Sequence, residues 1–176
     1  MDAVSDVQPP PESQQSYQVR FDWGVVGAHA IVADADALVW VDQLGESAVP
    51  EVDVPVVAGS LQSAEAVAAW ALARQEALGG RFRIAVAAAG DSRADGSPRF
   101  AVEDLLAAGA VIDAISERGI DHQSPEAAAA ASSYVGLRRA TRHLVSASVT
   151  ARSTPGISLD LSAVDQVTLL RESPTA

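Results

Sequence analysis

The sequence contains no cysteine, no lysine and no asparagine, and only 5% of its residues are aromatic. Without cysteine the chain has no disulfide bonds, no thiol nucleophile and no cysteine-ligated zinc site. Its 12 basic residues are all arginine and are outnumbered by 23 acidic residues, which gives a net charge of −11. Because nucleic acids and anionic membranes need basic surfaces, we expect neither as a partner.

Long apolar runs are missing as well. No segment reaches the roughly 18 consecutive apolar residues that a membrane-spanning helix requires. Residues 1–6 (MDAVSD) are acidic, whereas a signal peptide begins with basic residues followed by an apolar stretch. We therefore expect a cytoplasmic protein. A chain of 176 residues with 48% hydrophobic content can supply the core of one domain.

Composition divides the chain into three parts. Residues 1–16 are rich in proline, glutamine and serine, which predicts a disordered leader. Residues 17–171 are predicted to form a single α/β domain, and residues 172–176 a flexible tail. No internal repeat or linker divides the domain further.

Apolar patterning predicts alternating strands and helices. Three short apolar runs favour central strands buried on both faces, at 37–41, 54–58 and 83–87. A half-exposed strand is predicted at 17–21 and a last strand at 166–170. Helices are predicted over 63–78, 100–117 and 124–146, the last with Ser124 as its N-cap. This order implies a mainly parallel or mixed sheet flanked by helices in three layers.

Acidic residues follow two of the predicted strands. Asp42 comes after the strand over 37–41, and Asp91 comes after the strand over 83–87. Glu103 and Asp104 open the next helix. Carboxylates at neighbouring strand ends can hold Mg²⁺, which prefers oxygen ligands. The loop after Asp91 adds Ser92, Arg93 and Arg99, of which the two arginines can bind phosphate oxygens.

The same acids also have a purely structural interpretation. An aspartate after a strand is a common turn-former, and acids in a first helical turn stabilise the helix dipole. Asp95 lies in an Asp-Gly turn sequence. The histidines at 29, 122 and 143 lack metal-ligand spacing, and the tryptophans at 23, 40 and 70 suit a core. With no GxSxG, P-loop, GxGxxG or HExxH motif, these patterns alone do not identify an enzyme.

Several segments occur in an order that resembles one enzyme family. They are residues 21–24 (FDWG), 37–42 (ALVWVD), 86–90 (VAAAG), 103–110 (EDLLAAGA) and 124–127 (SPEA). In this order they resemble landmarks of the 2-phosphosulfolactate phosphatase family, most closely between residues 61 and 127. The resemblance implies an α/β, Mg²⁺-dependent phosphate monoester hydrolase acting on a small phosphorylated acid. By position it implies Asp42, Glu103 and Asp104 as catalytic residues and Asp42, Asp91 and Glu103 as metal ligands, with Ser92, Arg93 and Arg99 near the substrate.

Two alternatives stay open beside a hydrolase of reduced activity. Residues 43–47 (QLGES) are acidic where the family is rich in arginine, serine and threonine, which also predicts a catalytically silent binding relative. The alanine-rich helices over 63–78 and 124–146 also suit packing between subunits of a homo-oligomer.

Overall fold

A five-stranded mixed sheet carries helices on both faces in the computed structural model of the chain, which describes residues 8–173. The strands are β1 (Val19–Trp23), β2 (Ala37–Val41), β3 (Val56–Gly59), β4 (Ile84–Ala88), β5 (Asp91–Ser92), β6 (Pro98–Arg99) and β7 (Leu169–Arg171). The helices are α1 (Gly24–Ile31), α2 (Ala64–Leu78), α3 (Val102–Glu117), α4 (Pro125–Leu137), α5 (Thr141–Ala147) and α6 (Val149–Ser153). The predicted three-layer α/β fold is confirmed.

The strand order of the sheet is β1-β4-β2-β3-β7. The first four strands are parallel and β7 is antiparallel to β3, while β5 and β6 form a separate hairpin. The carboxyl ends of β1, β4, β2 and β3 therefore lie along one edge of the sheet. At that edge the backbone N–H of Ala89 donates to the carbonyl oxygen of Val41 at 2.7 Å. The loops after β2 and β4 thus leave the sheet side by side.

The two faces of the sheet have separate cores. Val39 and Val41 of β2 point to the face covered by α2, α3 and α4, whereas Leu38 and Trp40 point to the face covered by α1 and the segment before β3. Every residue of β2 and β4 is buried. The prediction that these two strands are central is therefore confirmed, because only a strand covered on both faces can be apolar throughout.

Strand β1 differs from the half-exposed strand that was predicted. Arg20, its second residue, is fully buried, and its guanidinium donates to the carbonyl oxygens of Tyr17 at 3.0 Å and Ile31 at 2.9 Å, and also to that of Ala33. Burial lowers the pKa of Arg20, and the nearby Arg83 lowers it further. The polar position was predicted to face water, but the carbonyl groups around the end of α1 take the place of water there.

The helix predicted over 124–146 is two helices in the structure. Its N-terminus is as predicted, since the Ser124 side chain accepts from the backbone N–H of Ala127 at 3.1 Å and Pro125 occupies the first turn. The helix ends at Leu137, just after Gly136, and the N–H of Ala140 donates to the carbonyl oxygen of Leu137 at 2.8 Å. Glycine has a low helix propensity, and the tighter i to i+3 bond turns the chain before α5.

Residues 8–18, before β1, contain a short helix and a buried side chain. Residues 1–7 of the predicted leader lie outside the described residues, but Pro11–Ser13 forms a short 3₁₀ helix. Gln14 is buried, and its side-chain amide exchanges two hydrogen bonds with the backbone of Phe21, at 2.9 and 3.0 Å. The predicted tail is described only for residues 172 and 173. Within residues 8–173, no helix has the length and apolar character needed to cross a membrane.

Candidate functional site

Acidic residues from three separate segments line one cleft at the carboxyl edge of the sheet. They are Asp42 and Glu46 after β2, Asp91 after β4, and Glu103 and Asp104 in the first turn of α3. The cleft has a volume of about 260 Å³ and also includes Thr150 of α6. We call it the acidic cleft. Asp42, Asp91, Glu103 and Asp104 were candidates from the sequence and Glu46 was not, and the structure brings them together because β4 lies beside β2.

Asp104 links the loops after the two central strands. It is 2% exposed, and its Oδ1 accepts from the backbone N–H of Gln43 at 2.8 Å. Its Oδ2 accepts from the N–H of Gly90 at 2.9 Å. Gly90 has a φ of +67°, a conformation that favours glycine. One carboxylate therefore fixes both walls of the acidic cleft.

The environment of Asp104 favours the neutral form of its carboxyl group. Burial raises its pKa to about 7, with Asp42 and Glu103 contributing in the same direction through their charge. The two backbone N–H donors lower the pKa but do not offset burial. A carboxyl group with this pKa exchanges a proton near neutral pH, as general acid–base catalysis requires.

Glu103 is buried without its full set of partners. It is 2% exposed, and its Oε2 has no hydrogen-bond partner anywhere in residues 8–173. A buried carboxyl oxygen without a partner is costly, so such groups are rare in folded proteins. Glu103 lines the acidic cleft, and an unsatisfied acceptor at that position is suited to a donor or cation brought by a ligand.

Asp42 has a structural role. Its Oδ1 accepts from the backbone N–H of Gly45 at 2.8 Å and its Oδ2 from that of Ser47 at 2.6 Å. A Cβ at position 45 would lie only 2.9 Å from Asp42 Oδ2, so glycine lets the loop close around the carboxylate. The turn-forming interpretation therefore describes its geometry, although Asp42 also lines the acidic cleft.

The predicted substrate-binding residues lie on or beside the β5–β6 hairpin. Arg99 forms an ion pair with Asp91 and donates to Thr150 Oγ1 at 3.3 Å. That hydrogen-bonded ion pair lowers the pKa of Asp91. Arg93 is exposed, donates to the carbonyl oxygen of Pro98 and does not line the acidic cleft. Ser92 lies in the wall of a larger cleft that adjoins the acidic one.

The predicted magnesium ligands do not form a ready metal site as they are placed. Asp42, Asp91 and Glu103 line the same cleft, yet within the described range of 8–173 no three acidic or histidine side chains converge closely enough to hold a metal ion. Asp42 is occupied by two backbone amides, and Asp91 is paired with Arg99. This arrangement does not fit a magnesium centre, and Mg²⁺ binding stays a prediction from the family resemblance.

A larger, apolar cleft adjoins the acidic one, and the sequence did not point to it. It has a volume of about 620 Å³. Its walls include Trp23, Trp40 and Phe100, together with Val25 and Val26 of α1. We call it the apolar cleft. Trp40 was expected to be a core residue and is 3% exposed, but it also forms part of this wall.

The remaining aromatic and histidine candidates lie elsewhere. Trp70 packs edge-on against Phe82, with ring centroids 5.6 Å apart, and lines neither cleft. The three histidines are exposed and line neither cleft, in agreement with a structural or surface role. Comparisons with known proteins add no relative, since no protein-family model matches the chain and no curated protein matches its sequence.

Proposed function

We propose that this chain is a divergent hydrolase of the 2-phosphosulfolactate phosphatase type, acting slowly on a phosphate monoester of a small organic acid. One observation carries the proposal: Asp42, Asp91, Glu103 and Asp104, which the resemblance implies as active-site residues, line one cleft. That cleft lies at the carboxyl ends of parallel strands, where α/β proteins bind their substrates. We also propose a cytoplasmic location, as expected for an enzyme that acts on small metabolites.

The chemistry available to the cleft is proton transfer. Hydrolysis forms a bond from a water oxygen to phosphorus and breaks the ester P–O bond. Glu103, with its free Oε2, can take the proton that the water loses, and neutral Asp104 can give one to the leaving oxygen.

A low rate is expected from the charges in the cleft. Arg99 bonds to Asp91 and Thr150 in the cleft wall and is therefore already paired, while five acidic residues line the space. Phosphoryl transfer depends on positive groups that stabilise the phosphoryl oxygens, and an acidic cleft opposes a phosphate dianion. The proposed activity is therefore weaker than that of an enzyme with a full phosphate-binding segment.

The experiment is an assay of the full-length chain on phospholactate and 4-nitrophenyl phosphate, with and without Mg²⁺. Glu103→Gln is expected to lower the rate about a hundredfold or more, as for loss of an acid–base group. The matched control is Glu76→Gln, which changes an exposed acid of α2 outside the cleft. Equal rates for both variants would refute the proposal.

A second candidate is a catalytically silent binding protein with the same fold. It is favoured because polar groups near the cleft are already bonded within the chain. Two backbone amides donate to Asp42, Arg99 pairs with Asp91, and Arg93 donates to the carbonyl oxygen of Pro98. Self-association belongs to this candidate, since α4 exposes Val135 and Leu137. Hydrolysis of any phosphate monoester that Glu103→Gln abolishes would exclude it. A monomeric mass by light scattering would exclude its oligomeric form.

A further inference from the structure

The apolar cleft is large enough for a small organic ligand. Its volume of about 620 Å³ lies within the roughly 300–1,000 Å³ typical of small-molecule sites. Such sites are lined mostly by apolar and aromatic side chains with a few polar groups. The apolar cleft matches this description, because three aromatic rings and two valines form its walls, and Ser92 and Arg99 lie at its rim.

The aromatic side chains form a connected wall on one side of the cleft. The rings of Trp23 and Phe100 are 5.4 Å apart at an interplanar angle of 48°. Phe21 packs edge-on against Trp23 from the core, with centroids 5.6 Å apart, and so holds the indole in place. Phe100 is nevertheless 57% exposed and Val26 is 85% exposed. Apolar surface gathered beside a concavity is typical of a binding site.

Trp40 supplies a polar group to the same region. Trp40 is only 3% exposed, and its Nε1–H lacks a hydrogen-bond partner among the described residues. Buried indole N–H groups in proteins usually find an acceptor. An acceptor atom on a ligand in this cleft would supply the missing partner.

The apolar cleft is continuous with the acidic cleft. Ser47, Gly90 and Asp91 lie in the walls of both. A side chain at Gly90 would crowd this boundary, because a Cβ there would lie 3.2 Å from the carbonyl oxygen of Arg99 and 3.4 Å from Trp23 Cε3. One ligand can therefore extend from the aromatic wall to the carboxyl groups.

We propose that the apolar cleft binds an aromatic ring of the ligand whose polar head occupies the acidic cleft. Among the small phosphorylated acids of the proposed function, the preferred ligands are those that carry an aryl group. The inference rests on the proposed function only for the position of the phosphorylated head. The ring is bound by Trp23, Trp40, Phe100 and the exposed valines of α1 whether or not the head is hydrolysed.

The test compares three probes on the full-length chain by calorimetry: 2-naphthyl phosphate, 2-naphthol and phospholactate. We expect both naphthyl compounds to bind, and phospholactate to bind at least about tenfold more weakly than naphthyl phosphate. Phe100→Ala and Val26→Ser are each expected to weaken naphthyl binding about five- to tenfold. Both positions are exposed, so neither change is expected to unfold the chain.

The matched control is Leu78→Ala, since Leu78 is 57% exposed like Phe100 but lies at the end of α2 outside the cleft. It should leave naphthyl binding unchanged. Trp40→Phe keeps a ring in the wall and removes the N–H, so it should weaken 2-naphthol less than Phe100→Ala does.

The outcomes separate this inference from the proposed function. Binding of 2-naphthol that depends on Phe100, without hydrolysis of any phosphate ester, would support the aromatic site and remove the hydrolase. Hydrolysis of phospholactate without any preference for the naphthyl ester would support the hydrolase and remove the aromatic site. Absence of naphthyl binding, or binding unchanged by Phe100→Ala, overturns the inference and leaves the cleft to a partner's side chain.

Discussion

The carboxylate of Asp104 accepts a hydrogen bond from the backbone N–H of Gln43 at 2.8 Å, across 61 positions of the chain. Its second oxygen accepts from the N–H of Gly90. The residue that fixes the two loops therefore also lies in the cleft between them. Changes at Asp104 should affect stability and the site together, so the pH dependence of unfolding can reveal its ionisation.

Asp104 is expected to make the protein less stable as the pH rises from about 4 to about 7. Its pKa is about 7 in the folded chain against 3.8 in an ordinary environment. Between these values the folded state holds a proton that the unfolded state has released, so the free energy of unfolding falls with rising pH and levels off above 7. Urea denaturation at pH 5 and pH 8 measures the fall.

Asp104→Asn is the control for this pH dependence. It removes the ionisable group while keeping one oxygen for a backbone amide, so it should be less stable than the parent chain at pH 5. Its stability should also fall less between pH 5 and pH 8. Asp113, whose pKa burial also raises, and Asp91, whose pKa is lowered, contribute equally to both proteins. The same pH dependence in both would show that Asp104 ionises normally.

The buried guanidinium of Arg20 is expected to be essential for stability. Arg20→Met would leave the carbonyl oxygens of Tyr17, Ile31 and Ala33 without this donor, at a cost of about 3 kcal/mol in the free energy of unfolding. Arg83→Met is the control, since Arg83 is exposed and donates to the carbonyl oxygen of Asp34 at 3.1 Å. It should cost less than about 1 kcal/mol. Similar losses in the free energy of unfolding for both variants would contradict the stabilising role of the Arg20 hydrogen bonds.

Two glycines in helices should respond in opposite directions to alanine. A Cβ at Gly109 of α3 would lie 2.8 Å from the Cβ of Tyr134 and would also meet the backbone of Ala130 in α4. We expect Gly109→Ala to destabilise the chain by about 2 kcal/mol, since the helices must separate. Gly136 has open space around it, and alanine there should stabilise by about 0.5–1 kcal/mol. Thermal denaturation of both variants measures the contrast.

Much of the fold could be predicted because its signals are local. The apolar run at 37–41 matches β2, and the apolar spacing over 100–117 locates α3 to within two residues. The burial of Arg20 in the predicted half-exposed strand was missed, because the carbonyl groups that bind it come from other segments. The break after Leu137 was missed for a related reason: a single glycine weakens a helix without always ending it.

The candidate site could likewise be predicted only in part. Asp42, Asp91, Glu103 and Asp104 could be found because each follows a strand or opens a helix, and parallel strands end at one edge. The apolar cleft could not be found, because Trp23, Trp40 and Phe100 come together only through the strand order β1-β4-β2. Trp23 and Trp40 were each expected to be core residues. The hydrogen-bond partners of Asp42 likewise could not be predicted, because they depend on the path of the loop after β2.

Glu103 is the residue at which effects on hydrolysis and on stability should differ most clearly. Its Oε2 is buried without a partner in residues 8–173, so Glu103→Met, which keeps a similar length, should raise the free energy of unfolding by about 1 kcal/mol. The same change should abolish hydrolysis, because sites often keep a destabilising group for function. Glu76→Met on the exposed face of α2 should change neither by a measurable amount. If Glu103→Met instead unfolds more easily in urea, the carboxyl group serves the fold, and its place in the proposed mechanism is lost.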